Sequence, residues 1–272
     1  MPKALYRLAR DERHQNPSPV LIGDGKAMLS TRQASDYFLC PVCEDLFSKH
    51  GESWVLNHCW RDDKTFRLRD LLVKTPPYPG SSEDTKLYLM DVMPGVDADK
   101  IIYFAASVFW RGAARSWTIG DHGYAKLKFE RYEEQFRKYL LGQAAFPTRA
   151  AMLIFVGSSM AEIENNIIAF PNKISTNGSH IFRFRIPGMT FIMILGARSE
   201  HYMHSCSVHV KGRPIYIMKG NDQWNFKTFM EEYAGSKRVG KLKERTEGPA
   251  AAPPRWSAEE IRSLLPPPRK QH

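Results

Sequence analysis

Apolar side chains in the first half of this chain recur mainly at the three-to-four-residue spacing of α-helices. Residues 101–110 are apolar nearly all round, which predicts a helix buried on every side at the centre of the core. Residues 129–140 predict an amphipathic helix, and Gly142 supplies a typical helix end. Shorter helices are predicted at 44–56, with an interruption at His50-Gly51, and at 66–73.

Strand-like patterns dominate the second half of the chain. Residues 151–156 form a continuous apolar run of the kind found in buried strands, and two further runs flank Pro187-Gly188 as a hairpin or a bent pair. The remaining segments are a hairpin at 20–29, strands at 87–90 and 215–218, and a helix at 224–233. This mixture predicts an α+β fold with an antiparallel sheet.

Loop-forming residues suggest how the 272-residue chain is divided. Residues 76–84 are rich in proline, glycine and serine and predict a boundary between a region at 1–75 and a larger mixed α+β domain at 85–245. Residues 246–272 form a proline-rich tail with one short helix, which could bind a protein partner. No internal repeat is present.

The chain is basic, with a formal net charge of +10. This charge favours a polyanionic partner such as DNA or RNA, although a merely soluble basic protein has the same composition. Each group of basic residues also has a plainer interpretation. Arg111 and Arg115 could pair with nearby carboxylates, and Arg183 and Arg185 could lie on one side of a half-exposed sheet. The basic run at 237–245 could be a solvated helix end. The candidate nucleic-acid-binding residues are Arg111, Arg115, Arg183, Arg185, Lys237, Arg238, Lys241, Lys243 and Arg245.

The sequence also predicts a compartment. Residues 1–14 lack the apolar core of a signal peptide, and no apolar run approaches the roughly 20 residues that span a bilayer. Four cysteines are too few for a disulfide scaffold of this size, which favours a reducing environment. We therefore expect a cytoplasmic protein without a membrane partner.

Two cysteines, Cys40 and Cys43, are separated by two residues at the start of a helical pattern, which is half of a tetrahedral zinc site. Cys59 lies too far along a continuous helix to share the ion, unless the chain folds back at His50-Gly51. The remaining candidate metal ligands are Glu44, His204 and Cys206. The histidines between residues 201 and 209 have a plainer interpretation as solvated loop residues.

Signatures of catalysis are missing from the sequence. There is no serine-nucleophile motif, no phosphate-binding loop and no carboxylate pair suited to acid–base chemistry. These absences leave the question of enzymatic activity open; the chain as given favours a non-enzyme, and if it is an enzyme we expect a metal-dependent endonuclease.

The segment from Phe38 to Glu44 resembles the second cysteine pair of zinc-containing HNH (His-Me finger) endonucleases, in which it opens half of a treble-clef finger. The chain is similar, more closely, to uncharacterised bacterial proteins related to that family. Further similar segments lie at 1–7, 107–113 and 186–191. The resemblance implies a small hairpin-and-helix knuckle, zinc, and DNA or RNA as partner.

Departures from the family pattern leave several functions open. The family's first cysteine pair and its metal-activating histidine would lie before Met1, and Glu44 stands where Asn or His is usual. Glu44 could hold Mg²⁺ in a nuclease, or it could complement the helix dipole. The first hypothesis is a nucleic-acid-binding protein without a complete catalytic site. The alternatives are an active HNH endonuclease completed by upstream residues or a partner, and a non-catalytic interaction module of a defence or mobile-element system.

Overall fold

A 17-residue helix and a six-stranded sheet organise the fold. The computed structural model describes residues 20–23, 26–29, 39–61, 64–119, 122–124, 126–158, 168–175, 180–196, 206–219 and 221–247. The helices of this part are α1 (Pro41–Phe47), α2 (Ser53–His58), α3 (Arg67–Val73), α4 (Ala98–Ala114), α5 (Tyr132–Leu140), α6 (Asn221–Gly235) and α7 (Gly240–Glu247). The strands are β1 (Val20–Gly23), β2 (Lys26–Leu29), β3 (Thr85–Leu89), β4 (Trp117–Ile119), β5 (His122–Tyr124), β6 (Ala150–Gly157), β7 (Ala169–Ser175), β8 (His180–Ile186), β9 (Met189–Leu195), β10 (Pro214–Met218) and β11 (Lys237–Arg238).

The predicted α+β class is confirmed, and the large sheet is mixed. Its strand order is β3-β10-β6-β9-β8-β7, and every neighbouring pair is antiparallel except β6 and β10. The predicted hairpin around Pro187-Gly188 is the β8–β9 pair. The predicted antiparallel sheet was therefore correct for four of the five pairings, and the parallel pair was not foreseen.

Helix α4 is the predicted central helix, and it is buried against one face of the large sheet. The Asp97 carboxylate accepts a hydrogen bond from the Lys100 backbone N–H at 3.1 Å, which caps the helix start. Phe104 and Phe109 contact Phe184 of β8 with ring centroids 6.1 and 4.8 Å apart. Such edge-on aromatic packing stabilises the contact beyond the burial of apolar area alone.

The helices before residue 75 contribute to this same core. Phe47, Val55 and Phe66 are buried in the cluster that also contains Phe104 and Phe184. Gly188, with φ +75°, turns the β8–β9 hairpin so closely over Phe66 that an added Cβ would lie 2.6 Å from the ring. The loop at residues 76–84 therefore lies between segments that contribute to one hydrophobic core, and the domain boundary there stays a prediction.

A second, three-stranded sheet joins the two ends of the described chain. Strands β1 and β2 form the predicted antiparallel hairpin, and β11 pairs with β2 in parallel. Helix α7 follows at once and packs on β2, with Leu242 5% exposed. Residues 1–19 and 248–272, which include nearly all of the proline-rich tail, lie outside the described residues. Among the helices that are described, none is both long and apolar enough to cross a bilayer.

Candidate functional site

The thiol pair predicted from the sequence lies at the start of a helix. Cys40 is the N-cap residue of α1, Pro41 is the first helical residue, and the Glu44 N–H donates to the Cys40 carbonyl at 3.0 Å. Proline fits this position because the first N–H of a helix has no intrahelical acceptor. Cys40 is exposed and Cys43 is half-buried.

The two thiols differ electrostatically. Hydrogen bonds from the backbone and thiol of Cys43 hold the pKa of Cys40 below its ordinary value. The thiol hydrogen bond to Cys40, followed by desolvation, raises the pKa of Cys43. Cys40 is therefore the thiol of the pair that more readily forms a thiolate, the form that binds metals and acts as a nucleophile.

The helix that follows does not fold back toward the pair. A π-helical turn at Ser48–Glu52 links α1 directly to α2, so the predicted interruption at His50-Gly51 is a local change in helix geometry. Cys59 lies at the far end, where burial raises its pKa to about 12. The His58 ring stacks on Trp54 with centroids 3.8 Å apart. Neither Cys59 nor His58 can complete the site at Cys40 and Cys43.

The other predicted metal ligands do not complete the site within the described residues. Cys206 packs against Ala151, Leu153 and Ile194 on the opposite face of the large sheet from α4. His204 lies outside the described part of the chain. Over the ranges that are described, no three His, Cys, Asp or Glu side chains come together as a metal site. A structural zinc ion needs four ligands, so two of them would have to come from elsewhere.

Arg111, one of the candidate nucleic-acid-binding residues, is instead part of a buried ion pair. Its Nη1 lies 2.6 Å from Glu52 Oε1, and the two side chains are 7% and 13% exposed. Nη2 lies 4.0 Å from the exposed Glu44, and the guanidinium sits 4.9 Å from the Phe47 ring centre. The alternative interpretation, pairing with nearby acids, was therefore correct for Arg111. Glu44, in the first turn of α1, fits the dipole-complementing role.

Arg183 and Arg185 are interior residues rather than an open basic face. They are 9% and 2% exposed, and desolvation lowers the pKa of Arg183. The sheet register places Arg183 beside Ile192 and Arg185 beside Thr190. Arg183 and Arg185 do alternate with Phe182 and Phe184 along β8, as predicted, but the side chains on both faces of this strand are buried. These two arginines are therefore not accessible to a nucleic-acid backbone in this structure.

Four exposed lysines lie on the three-stranded sheet and on the helix that packs on it. Lys26 on β2 and Lys237 on β11 are paired neighbours, and Lys241 and Lys243 flank the buried Leu242 on α7. We call Lys26, Lys237, Lys241 and Lys243 the lysine surface. Within the described residues none of the four forms an ion pair with a carboxylate. Like charges on neighbouring strands repel, which favours an external anion between them.

The other predicted basic residues have different roles. Arg238 lies over the Tyr233 ring at 5.3 Å and 3.6 Å from Glu247, so it helps to hold the two C-terminal helices together. Arg115 is exposed just after α4. Arg245 belongs to α7, and its side chain is outside the description.

Two residues of these sites were missed at the level of sequence. Lys26 had no local signal, because the β2–β11 pairing that brings it to Lys237 joins distant parts of the chain. Glu52 lies on a helical segment that also carries Glu44 and Asp45, so the sequence did not mark it as the buried carboxylate. Comparison of the chain with protein-family models, curated proteins and solved structures finds no match.

Proposed function

We propose that this protein binds nucleic acid, and that the lysine surface contacts the phosphate backbone. The pairing of Lys26 with Lys237 carries the proposal, because it puts two exposed lysines opposite each other on neighbouring strands, without a carboxylate partner in the described residues. Backbone phosphates on DNA or RNA supply closely spaced negative charge that suits such a surface.

The surface is built on a stable support. Ala27 of β2 and Leu242 of α7 are both buried, and the Val239 N–H donates to the Ala27 carbonyl at 3.0 Å. The lysine stems therefore project from ordered backbone, while their heads keep the mobility that a sequence-independent phosphate contact allows. The chain's net charge of +10 favours the same class of partner.

Replacement of the four lysines by glutamine is expected to weaken binding to a labelled oligonucleotide by at least about a hundredfold near 50 mM salt, because each lysine releases counterions from the phosphates. Fluorescence anisotropy measures the change. For duplex DNA, the slope of log K against log salt should fall in magnitude by roughly 3 to 4.

The matched control removes four lysines that already have carboxylate partners. Lys49 pairs with Asp45, Lys100 with Asp97, Lys126 with Glu133 and Lys219 with Glu83. The variant K49Q/K100Q/K126Q/K219Q carries the same net charge as the test variant and should bind almost as the intact protein does. Equal loss in both variants, or no binding by the intact protein at low salt, would contradict the proposal.

The predicted HNH ancestry belongs to this proposal as its evolutionary explanation. A helix that begins at a CxxC pair is the element that an HNH-like knuckle requires, which supports it. No hydrolytic step is assigned to any described residue.

A further inference from the structure

We propose that Cys40 and Cys43 form a redox-active dithiol that exchanges with disulfides. The proposal rests on how the two thiols are placed rather than on the spacing alone. Cys40 is exposed just before the helix, and Cys43 is half-buried in the first turn of the same helix. A CxxC pair at a helix start is an arrangement that can close into an intramolecular disulfide.

The position of Cys40 makes this closure feasible. Cys40 has extended backbone angles, φ −70° and ψ 158°, and lies just outside the helical turn that holds Cys43. Its side chain can rotate toward Cys43 without breaking a helical hydrogen bond of its own N–H. Cys43 is held in place because α1 ends at the buried Phe47, which packs in the core.

The remaining cysteines cannot take over either role. Cys59 is fully buried at the opposite end of the helical segment, and Cys206 packs on the other face of the sheet. An intramolecular disulfide must therefore join Cys40 to Cys43. In the reduced state the exposed Cys40 is the thiol that an incoming disulfide meets first.

The reaction with a low-molecular-weight disulfide such as oxidised glutathione balances as follows. The Cys40 thiolate attacks one glutathione sulfur, the S–S bond breaks, and one glutathione thiolate leaves. The Cys43 sulfur then attacks the Cys40 sulfur of the mixed disulfide and expels the second glutathione, which takes up the thiol proton. The protein dithiol is oxidised to a disulfide and one glutathione disulfide is reduced to two thiols.

The experiment incubates the reduced full-length chain with oxidised glutathione and follows intact mass and peptide maps. We expect the intact protein to lose two hydrogen atoms and to show one Cys40–Cys43 crosslink. The variant C43S should accumulate one glutathione adduct on Cys40. The variant C40S should react at least about tenfold more slowly, because its remaining thiol at the site is half-buried. The variant C206S should behave as the intact chain.

Two results would overturn the inference. Stable glutathione adducts on both thiols of the intact chain, without a crosslink, would show that the pair cannot close. One tightly bound zinc ion per chain that protects both thiols from glutathione would show that the pair is a metal clamp. Neither result bears on the lysine surface, so a failure here is distinguishable from a failure of nucleic-acid binding.

Discussion

Replacing Glu52 by alanine is expected to lower the free energy of unfolding by about 3 kcal/mol, because the substitution leaves a buried arginine without its closest counter-charge. Arg111 is 7% exposed, and Glu52 is the carboxylate 2.6 Å from it. The Phe47 ring and the more distant Glu44 compensate for part of the loss, which puts the effect near the lower end for buried pairs. Urea unfolding followed by circular dichroism measures the change.

Glu44 provides the matched control, because it faces the same guanidinium from 4.0 Å but is 55% exposed. The variant E44A should change the free energy of unfolding by less than about 1 kcal/mol. The double variant E52L/R111M removes both charges and should recover most of the stability lost in E52A. If E52A and E44A destabilise the protein equally, the buried pair does not have the role assigned to it.

The second large effect is expected at Gly51, where the helical segment meets α4. A Cβ at this position would lie 2.8 Å from the Phe104 backbone nitrogen and 2.9 Å from its Cα. Both neighbours are backbone atoms of a long buried helix, so they cannot move aside alone. We expect G51A to lower the free energy of unfolding by roughly 3 kcal/mol, despite the higher helix propensity of alanine.

The control for this prediction is Gly235, at the end of α6. A Cβ there has no heavy atom within 4 Å and Gly235 shows no positive φ, so alanine should leave stability nearly unchanged. Thermal unfolding of G51A and G235A under the same conditions makes the comparison. A G51A protein as stable as the intact one would mean that the two helices can separate without loss.

The elements of this fold were largely predictable, because each is encoded by local periodicity. The all-apolar segment became α4, the run at 151–156 became β6, and Pro187-Gly188 became the turn of the β8–β9 hairpin. The pairing of β6 with β10, which is parallel, could not be predicted, because it depends on contacts between distant segments. The same reason explains why strand β11 was read only as part of a basic run.

The site residues were predictable in type but not in exposure. Arg183 and Arg185 alternate with aromatic residues in the sequence, and alternation alone does not reveal whether a sheet has one covered face or two. The thiol pair was predicted at a helix start, and the structure has it there. Its other ligands could not be judged from spacing, because that required knowing that the π-helical turn keeps the chain running away from Cys43.

The most direct test of the account maps where an oligonucleotide touches the intact chain. Photochemical crosslinking to a labelled DNA or RNA strand, followed by peptide mapping, identifies the contacting segments. We expect crosslinks on Lys26 and on the segment from Lys237 to Lys243 together, since β11 pairs with β2 and α7 packs on β2. Crosslinks confined to other parts of the chain, such as the ion-paired Lys49 and Lys100, would contradict the assignment of the lysine surface.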